Sequence, residues 1–159
     1  MIFITLGSQK FQFNRILKKI DELIEKDIIK EEVFAQIGYS DYRPINYKYE
    51  DFLDRGKFSK LMKSSTLVIT HGGTGAIITA VKAGKKVIAV PRLAQYGEHV
   101  DDHQLQLLKQ FDSMNLICPC WEINDLRQSI DIVMKRTYNT YESNTQAIID
   151  SLIDFIEEI

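Results

Sequence analysis

Short, almost wholly apolar runs alternate with amphipathic segments along this chain, and this alternation constrains the fold more than any other feature. The runs at residues 1–6, 33–37, 67–70 and 87–90 carry almost no polar face. Strands of that kind are typical of a parallel sheet that is covered by helices on both faces. The sequence therefore predicts an α/β, Rossmann-like, three-layer domain with a parallel sheet.

The segments between the apolar runs show helical periodicity. Asn14 is a candidate cap for a first helix, whose outward face includes Asp21. Further helices are expected at residues 76–83, with Gly84 at the end, and from Asp101 onward. Weaker patterns predict a third strand at 46–49, a short helix around 58–62, a last strand at 116–118 and a helix around 126–134.

The length of 159 residues favours one domain that spans residues 1–159. Its closing helix, about residues 143–159, would start at a capping box formed by Ser143 and Gln146. We expect this helix either to pack on the domain or to extend from it. Lys and Arg total 20 against 22 Asp and Glu, a formal charge of −2, whereas nucleic-acid binders usually carry a basic excess. No nucleic-acid partner is therefore expected.

The apolar runs and the cysteines bear on localisation. No run reaches the roughly 18 residues that a membrane-spanning helix needs. The N-terminus lacks the basic region and cleavage site of a signal peptide. Cys118 and Cys120 are separated by one residue, which does not suit a disulfide framework. We expect a cytoplasmic protein.

Two glycine-rich breaks follow the first and fourth predicted strands. Gly7 and Ser8 end the first strand, and residues 71–75, His-Gly-Gly-Thr-Gly, end the fourth. In the commonest strand order, 3-2-1-4-5-6, these two strands are neighbours at the switch point where ligands bind. Glycines admit a ligand close to backbone N–H groups, and a helix N-terminus favours an anion. The breaks therefore predict a pyrophosphate site; the alternative is that both are only tight strand-to-helix turns.

Two common phosphate ligands fit the sequence poorly. A P-loop needs Gly-Lys-Ser/Thr, which is absent. The dinucleotide fingerprint is incomplete because Ile78 stands where its third glycine belongs, and the expected acidic ribose partner is missing after the next strand. A nucleotide-sugar remains.

These motifs together resemble a known family. Gly7-Ser8, the run from Ile69 to Gly75, Val90-Pro91 and the segment 97–104, Gly-Glu-His-Val-Asp-Asp-His-Gln, are similar to the C-terminal, donor-binding domain of family 28 glycosyltransferases. Such a domain is one half of a GT-B glycosyltransferase. The likeness is strongest to free-standing versions: PssE-like and EpsF-like subunits of exopolysaccharide synthesis, and the small catalytic subunit of the dolichol-pathway UDP-GlcNAc transferase.

The resemblance implies a donor site with two sides. Its phosphate side would be formed by Gly7, Ser8, His71, Gly72, Gly73, Thr74 and Gly75. The loop 92–104 would form its sugar side, through Glu98, Asp102 and Gln104. Relatives carry a ribose-binding glutamate on the helix after the glycine loop, where this chain has Thr79, whose hydroxyl still offers one hydrogen bond.

Several of these residues have a second interpretation. His71 either contacts the donor or closes a turn. Gln104 either binds a sugar hydroxyl or, with Asp101, caps a helix in a capping-box pattern. Glu98 and His99 either face the sugar or lie on a solvated loop. His99 and His103 have a metal-like spacing, but no third ligand is evident, so no metal and no cofactor other than the donor substrate is expected.

The resemblance also implies the activity and the partners. The chain would be the donor-binding catalytic subunit of a UDP-sugar hexosyltransferase that modifies a lipid-linked saccharide, with galactose favoured and GlcNAc next. A membrane-attached, PssD-like subunit would hold the acceptor and supply the general base. Phe11, Phe13 and the loop 92–99 would contact it, which makes the chain peripheral to the inner face of the membrane.

Two rival functions stay open. The first is a non-catalytic, nucleotide-binding regulatory module. The second is a self-sufficient hydrolase or epimerase of UDP-sugars, for which His71 and Glu98 form the one candidate acid–base pair in the sequence.

Overall fold

The computed structural model describes residues 1–142 and 144–157. Its centre is one six-stranded parallel sheet with the order β3-β2-β1-β4-β5-β6. The strands are β1 (Ile2–Thr5), β2 (Val33–Gln36), β3 (Lys48–Glu50), β4 (Leu67–His71), β5 (Lys86–Val90) and β6 (Cys118–Pro119). The parallel sheet is the one expected from the apolar runs, and the strand order is the commonest order of such sheets, as expected.

In the described part of the chain, six helices cover the two faces of the sheet. They are α1 (Asn14–Glu25), α2 (Arg55–Ser64), α3 (Thr74–Lys82), α4 (His103–Ser113), α5 (Leu126–Lys135) and α6 (Thr145–Glu157). Two short 3₁₀ turns lie at Ala94–Tyr96 and Ile123–Asp125. Each face holds its own buried apolar cluster, because successive strand residues point to opposite faces: Ile4 packs with α1, and Phe3 packs with α3 and α4.

The sheet brings the two glycine-rich breaks together. β1 pairs with β4 in parallel, with Thr5 opposite Thr70, and the Thr70 hydroxyl donates to the Thr5 carbonyl at 2.7 Å. Because the chain leaves both strands at the same edge, Gly7 and His71 enter the region beyond it side by side. Strand order reverses at this point, which is where open α/β sheets bind ligands.

Two polar residues of α1 have hydrogen bonds and burial that differ from the sequence prediction. Asn14 does not cap the helix, which has Phe13 at the N-cap position; its side chain instead accepts from the backbone N–H groups of Asp41 and Tyr42. Asp21 is not on the outward face but only 3% exposed. Its carboxylate accepts hydrogen bonds from the loop after β2: the Tyr42 hydroxyl and the N–H groups of Ile45 and Asn46.

The last helices differ from the prediction at their starts. α4 begins at His103 rather than Asp101, because Asp101 accepts from the His103 N–H through its side chain in the turn before the helix. α6 begins at Thr145 and packs on α4, with Ile149 in the same buried cluster as Phe111. The predicted capping residue Ser143 and the predicted end at Ile159 lie outside the described residues.

Candidate functional site

The two glycine-rich loops meet around the imidazole ring of His71, the last residue of β4. Gly7 has φ 73°, a left-handed conformation, and a Cβ placed on it would lie 2.6 Å from Nε2 of His71. A Cβ on Gly73 would overlap Cε1 and Nε2 of the same ring. His71 therefore fills the gap between the loops, and both glycines are needed to leave room for its ring.

Hydrogen bonds fix the tautomer of His71. The Oε1 atom of Gln104 accepts from the N–H groups of Gly72 at 3.0 Å and Arg92 at 2.8 Å, which sets the orientation of the amide. The Gln104 Nε2 donor then points to Nδ1 of His71 at 3.4 Å, and the Arg92 Nε donor approaches the same nitrogen at 3.4 Å. Because two donors converge on Nδ1, that nitrogen is the acceptor and the ring proton is on Nε2.

The His71 ring is uncharged. Burial, together with smaller contributions from the neighbouring Arg92 and His99, lowers its pKa to about 3. An imidazole that stays neutral and carries its proton on Nε2 offers a hydrogen-bond donor between Gly7 and Gly73. It does not offer a basic nitrogen there, so the structure does not favour His71 as a general base.

Arg92 is the largest fully buried side chain, with 1% of its surface exposed. Its two terminal nitrogens donate to main-chain carbonyls of the loops after β1 and after β5, at 2.6–3.3 Å: Leu6, Phe11, Gln12 and Glu98. Its guanidinium also lies over the Phe13 ring, 5.1 Å from the centroid. Burial lowers the pKa of Arg92 to about 10, opposed by the Glu98 charge, so it stays protonated at neutral pH.

Glu98 lies in the interior, not on a solvated loop. Its carboxylate forms a two-pronged pair with Arg15, at 2.9 and 3.0 Å, and accepts from the Leu93 N–H at 3.0 Å. A sugar contact would require breaking this pair. Arg92 stands between Glu98 and His71, which share no hydrogen bond among the described residues, so the structure does not join them as an acid–base pair.

The N-terminus of α3 presents free backbone donors beside His71. The first helical hydrogen bond runs from the Ile77 N–H to the Gly73 carbonyl. The N–H groups of Thr74, Gly75 and Ala76 precede it and so lack helical acceptors. Within residues 1–142 and 144–157 no side chain accepts from them either. Together with the helix dipole, they favour an anion at this point.

Other predicted site residues have different surroundings. The Gly72 N–H is not free for a phosphate, because it donates to Gln104. Gln104 does not cap α4, as the capping-box interpretation required, but holds this loop. The Thr79 hydroxyl donates to the Gly75 carbonyl at 2.8 Å, so the donor expected for a ribose is already used. One Asp102 oxygen accepts from the Ala94 N–H and closes the loop after β5.

The remaining predicted residues lie at the rim of the site. Ser8 is exposed. Phe13 is fully buried in the core, so it does not form the exposed partner surface that the sequence suggested. Phe11 is half-buried and stacks on His99, with 5.6 Å between ring centroids. His99 in turn pairs with Asp101, Nδ1 to Oδ1 at 3.1 Å.

A cleft of about 230 Å³ opens in front of the glycine loop. Gly73, Thr74 and Gln104 form one wall, and the apolar side chains of Ile153 and Ile156, from the end of α6, form another. Small-molecule sites usually occupy roughly 300–1,000 Å³. The cleft is therefore too small to enclose a nucleotide-sugar by itself.

The described part of the chain contains neither a cluster of metal ligands nor a membrane-spanning helix. No group of three or more His, Cys, Asp or Glu residues there is placed to hold a metal ion. No helix there has the length and apolar character needed to cross a bilayer.

Comparisons with known proteins assign the chain to a protein family. The model of the glycosyltransferase family 28 C-terminal domain matches residues 1–159. The chain belongs to this family. A curated relative, the UDP-N-acetylglucosamine transferase subunit ALG13 of Candida albicans, is 30% identical over 73 residues. That match covers 46% of this chain and 23% of the relative, so it spans about a quarter of the longer protein.

Solved structures agree on the fold of this family 28 domain. The solution structure of an ALG13 matches 98% of this chain and 96% of its own, with a TM-score of 0.62 and 18% identity. MurG of Acinetobacter baumannii matches 95% of this chain and 49% of its own, with a TM-score of 0.58 and 18% identity. The glycotransferase of kitacinnamycin matches 99% and 39%, with a TM-score of 0.62 and 14% identity. The fold is one half of a GT-B glycosyltransferase, as expected.

Three features of this family 28 domain were missed by sequence reasoning. The sequence pattern identifies Arg92 only as the first residue of a loop, assigns no role to Arg15 and does not predict that α6 reaches the cleft. Arg92 follows Val90-Pro91 at the end of a buried strand, and that position was the one available signal. The sequence holds no comparable signal for Arg15 or for the Ile156 contact.

Substitution of the loop glycines tests how closely His71 packs against them. We expect Gly73→Ala to lower the free energy of unfolding by roughly 1–3 kcal/mol, because the new methyl group overlaps the ring. Gly75→Ala should change it by less than about 1 kcal/mol, because a Cβ there meets nothing within 4 Å. Urea unfolding of both variants measures the difference. Equal stability would contradict the described packing. Gly73→Val, which adds a larger side chain at the same point, should lower the free energy of unfolding further.

The charge state of His71 can be measured directly. We expect long-range ¹H–¹⁵N spectra to show a neutral ring with its proton on Nε2 from pH 7 down to 5. The folded pKa of about 3 lies below the unfolded value of about 6.5, so the unfolded chain takes up a proton that the folded chain does not.

Above about pH 6.5 neither state binds this proton, so His71 does not affect how stability changes with pH. As the pH falls from about 6.5 toward 3, protonation of the unfolded chain lowers the free energy of unfolding. His71→Asn should therefore lose less stability than the wild type between pH 7 and 4, as measured by urea unfolding at each pH. A charged ring at pH 6, or the opposite slope, would contradict the assignment.

Proposed function

We propose that this chain is the donor-binding subunit of a UDP-sugar glycosyltransferase. The observation that carries the proposal is the arrangement at the β1–β4 switch point. There the neutral His71 Nε2–H lies between the two glycine loops, beside the N–H groups of Thr74, Gly75 and Ala76, which have no acceptor among the described residues. A diphosphate is the ligand that such a set of uncharged donors and a helix N-terminus would bind.

These donors would act on the leaving group. As the bond between the sugar and UDP breaks, negative charge grows on the diphosphate. Fixed N–H dipoles stabilise that charge without having to reorganise, which is the usual source of electrostatic catalysis. Among the described residues no group of three or more metal-ligating side chains stands beside the loop, and the proposed mechanism uses no divalent ion. The general base that activates the acceptor would come from outside this chain.

The second half of the active site would be supplied by a partner. The cleft of about 230 Å³ encloses only part of a nucleotide-sugar, and a GT-B fold binds substrates between two halves. The name of the Candida relative describes a transferase subunit. We propose a membrane-attached, PssD-like acceptor subunit, which would place this chain at the inner face of the membrane.

The proposal extends to the substrates at a finer level. The donor sugar would be a hexose, with UDP-galactose first and UDP-GlcNAc next, and the acceptor would be a lipid-linked saccharide of exopolysaccharide or capsule synthesis. The resemblance of the chain's motifs as a whole to the exopolysaccharide subunits supports this order. Asp102 and the rim around His99 are the groups nearest to where the sugar would lie.

A regulatory nucleotide-binding module remains the second candidate, since it would use the same donors without transfer. A self-sufficient hydrolase is disfavoured by the neutral, Nε2-protonated His71 and by the pairing of Glu98 with Arg15.

Removal of a single amide tests the diphosphate site. Proline is well tolerated at the first position of a helix, where Thr74 lies, and Gly73 already has the extended conformation, ψ 129°, that a following proline requires. Thr74→Pro should therefore keep α3 but remove one N–H. We expect the affinity for UDP, measured by calorimetry, to fall about tenfold or more relative to Thr74→Ala.

Thr74→Ala is the matched control, because it removes the same hydroxyl and keeps the amide. If both variants have the same UDP affinity and the same circular dichroism as the wild type, the amide does not bind the diphosphate.

Transfer needs the acceptor half. We expect no measurable transfer of radiolabelled hexose from UDP-hexose to a lipid-linked acceptor by the purified chain, and clear transfer after addition of the membrane subunit. Rapid transfer by the chain alone would overturn the subunit proposal. UDP binding without transfer in the presence of the partner would favour the regulatory module.

A further inference from the structure

A second cavity lies at the opposite edge of the sheet from the glycine loops. It has a volume of about 430 Å³ and is formed by the end of α3, the start of β5 and the extended segment 136–141. Since β5 begins here and ends at the donor edge, the sheet separates the two places. The cavity is within the size range of small-molecule sites.

The lining of this cavity carries one sign of charge. Lys82, Lys85, Lys86 and Arg136 contribute to it, and no Asp or Glu does. This contrasts with the chain as a whole, whose formal charge is −2. Among the described residues none of these four cations forms an ion pair.

Two of the cations are held in place by helix ends. Lys85 Nζ donates to the carbonyls of Lys63 and Ser65, at 2.8 and 2.9 Å, after α2. Lys86 Nζ donates to those of Met134 and Arg136, at 2.9 and 3.1 Å, at the end of α5. An ammonium group has three donors, so each keeps one that these carbonyls do not use. Their positions are fixed before any ligand arrives, which reduces the entropic cost of binding.

The other two cations rest on aromatic rings rather than on backbone groups. Lys82 Nζ lies 5.0 Å from the ring centroid of Tyr141, and the Arg136 guanidinium lies 5.6 Å from that of Tyr138. The side-chain N–H groups of Lys82 and Arg136 form no hydrogen bond in the described part of the chain. The hydroxyls of Thr137 and Thr140 add neutral donors to the same lining.

We propose that this cavity is a second binding site, for a ligand that carries phosphate groups. Unpaired cations at fixed positions, neutral hydroxyl donors and the absence of a carboxylate are the chemistry that recognises a phosphate. The site does not depend on the proposed transferase function. It lies at the wrong edge of the sheet to hold the diphosphate of a donor bound at the glycine loops.

Inorganic pyrophosphate is the probe for this site. Amide NMR signals of residues 82–86 and 136–141 should shift on titration of the full chain with pyrophosphate. In Lys82→Gln/Arg136→Gln these shifts should require about tenfold more pyrophosphate or more, because two charge-assisted contacts are lost. Lys85 and Lys86 are left intact because they also hold α2 and α5.

Lys109→Gln/Arg127→Gln is the matched control. It removes the same two charges from exposed positions outside the cavity and should bind like the wild type. The signals of residues 72–76 report the glycine-loop site separately, so failure of one site does not resemble failure of the other. Equal weakening in the two double variants would mean general electrostatic attraction and would overturn the proposal.

A second experiment distinguishes a lipid headgroup from a soluble phosphate compound as the ligand. Co-sedimentation with phosphatidylglycerol vesicles, compared with phosphatidylcholine vesicles, tests a lipid headgroup. If the cavity variant loses vesicle binding and the control keeps it, the ligand is a headgroup. If pyrophosphate alone is affected, it is a soluble phosphate compound. No cavity response to either probe at millimolar phosphate would overturn the proposal.

Discussion

The buried guanidinium of Arg92 is the interaction on which the candidate site depends. A charge removed from water is costly unless its donors are satisfied, and here main-chain carbonyls from both ends of the site accept from it, including Leu6 and Glu98. These carbonyls belong to segments more than 80 residues apart in sequence. Arg92 therefore joins the end of β1 to the loop after β5. Its remaining donor, Nε, reaches His71.

This arrangement gives the glycines a structural role beside the proposed ligand role. Gly7 and Gly73 each leave room for the His71 ring, and Gln104 holds the loop by accepting from Gly72. The diphosphate proposal rests on the donors that remain free, namely His71 Nε2–H and the first amides of α3. The set of groups that would bind the diphosphate is thus smaller than the whole of residues 71–75, which the sequence predicted.

The sequence predicts the sheet well because strand identity depends on local apolar runs, such as residues 67–70, and on the glycines that end them. The adjacency of β1 and β4 follows from the commonest strand order, so the place of the site could be predicted too. The internal polar contacts could not. Asp21 has a helical period that points outward, and Glu98 lies in a polar loop. Both carboxylates are buried because groups 24 to 83 residues away donate hydrogen bonds to them. No local pattern encodes such contacts.

The electrostatics of the donor edge have a consequence for the whole enzyme that we propose. His71, with a pKa of about 3, and Arg92, with a pKa of about 10, each keep one protonation state between about pH 4 and 9. The α3 amides do not titrate at all. The field that would stabilise a leaving diphosphate is therefore constant over the physiological range. Any pH dependence of transfer in that range must arise from groups outside this network, and the base that activates the acceptor is the first of these to examine.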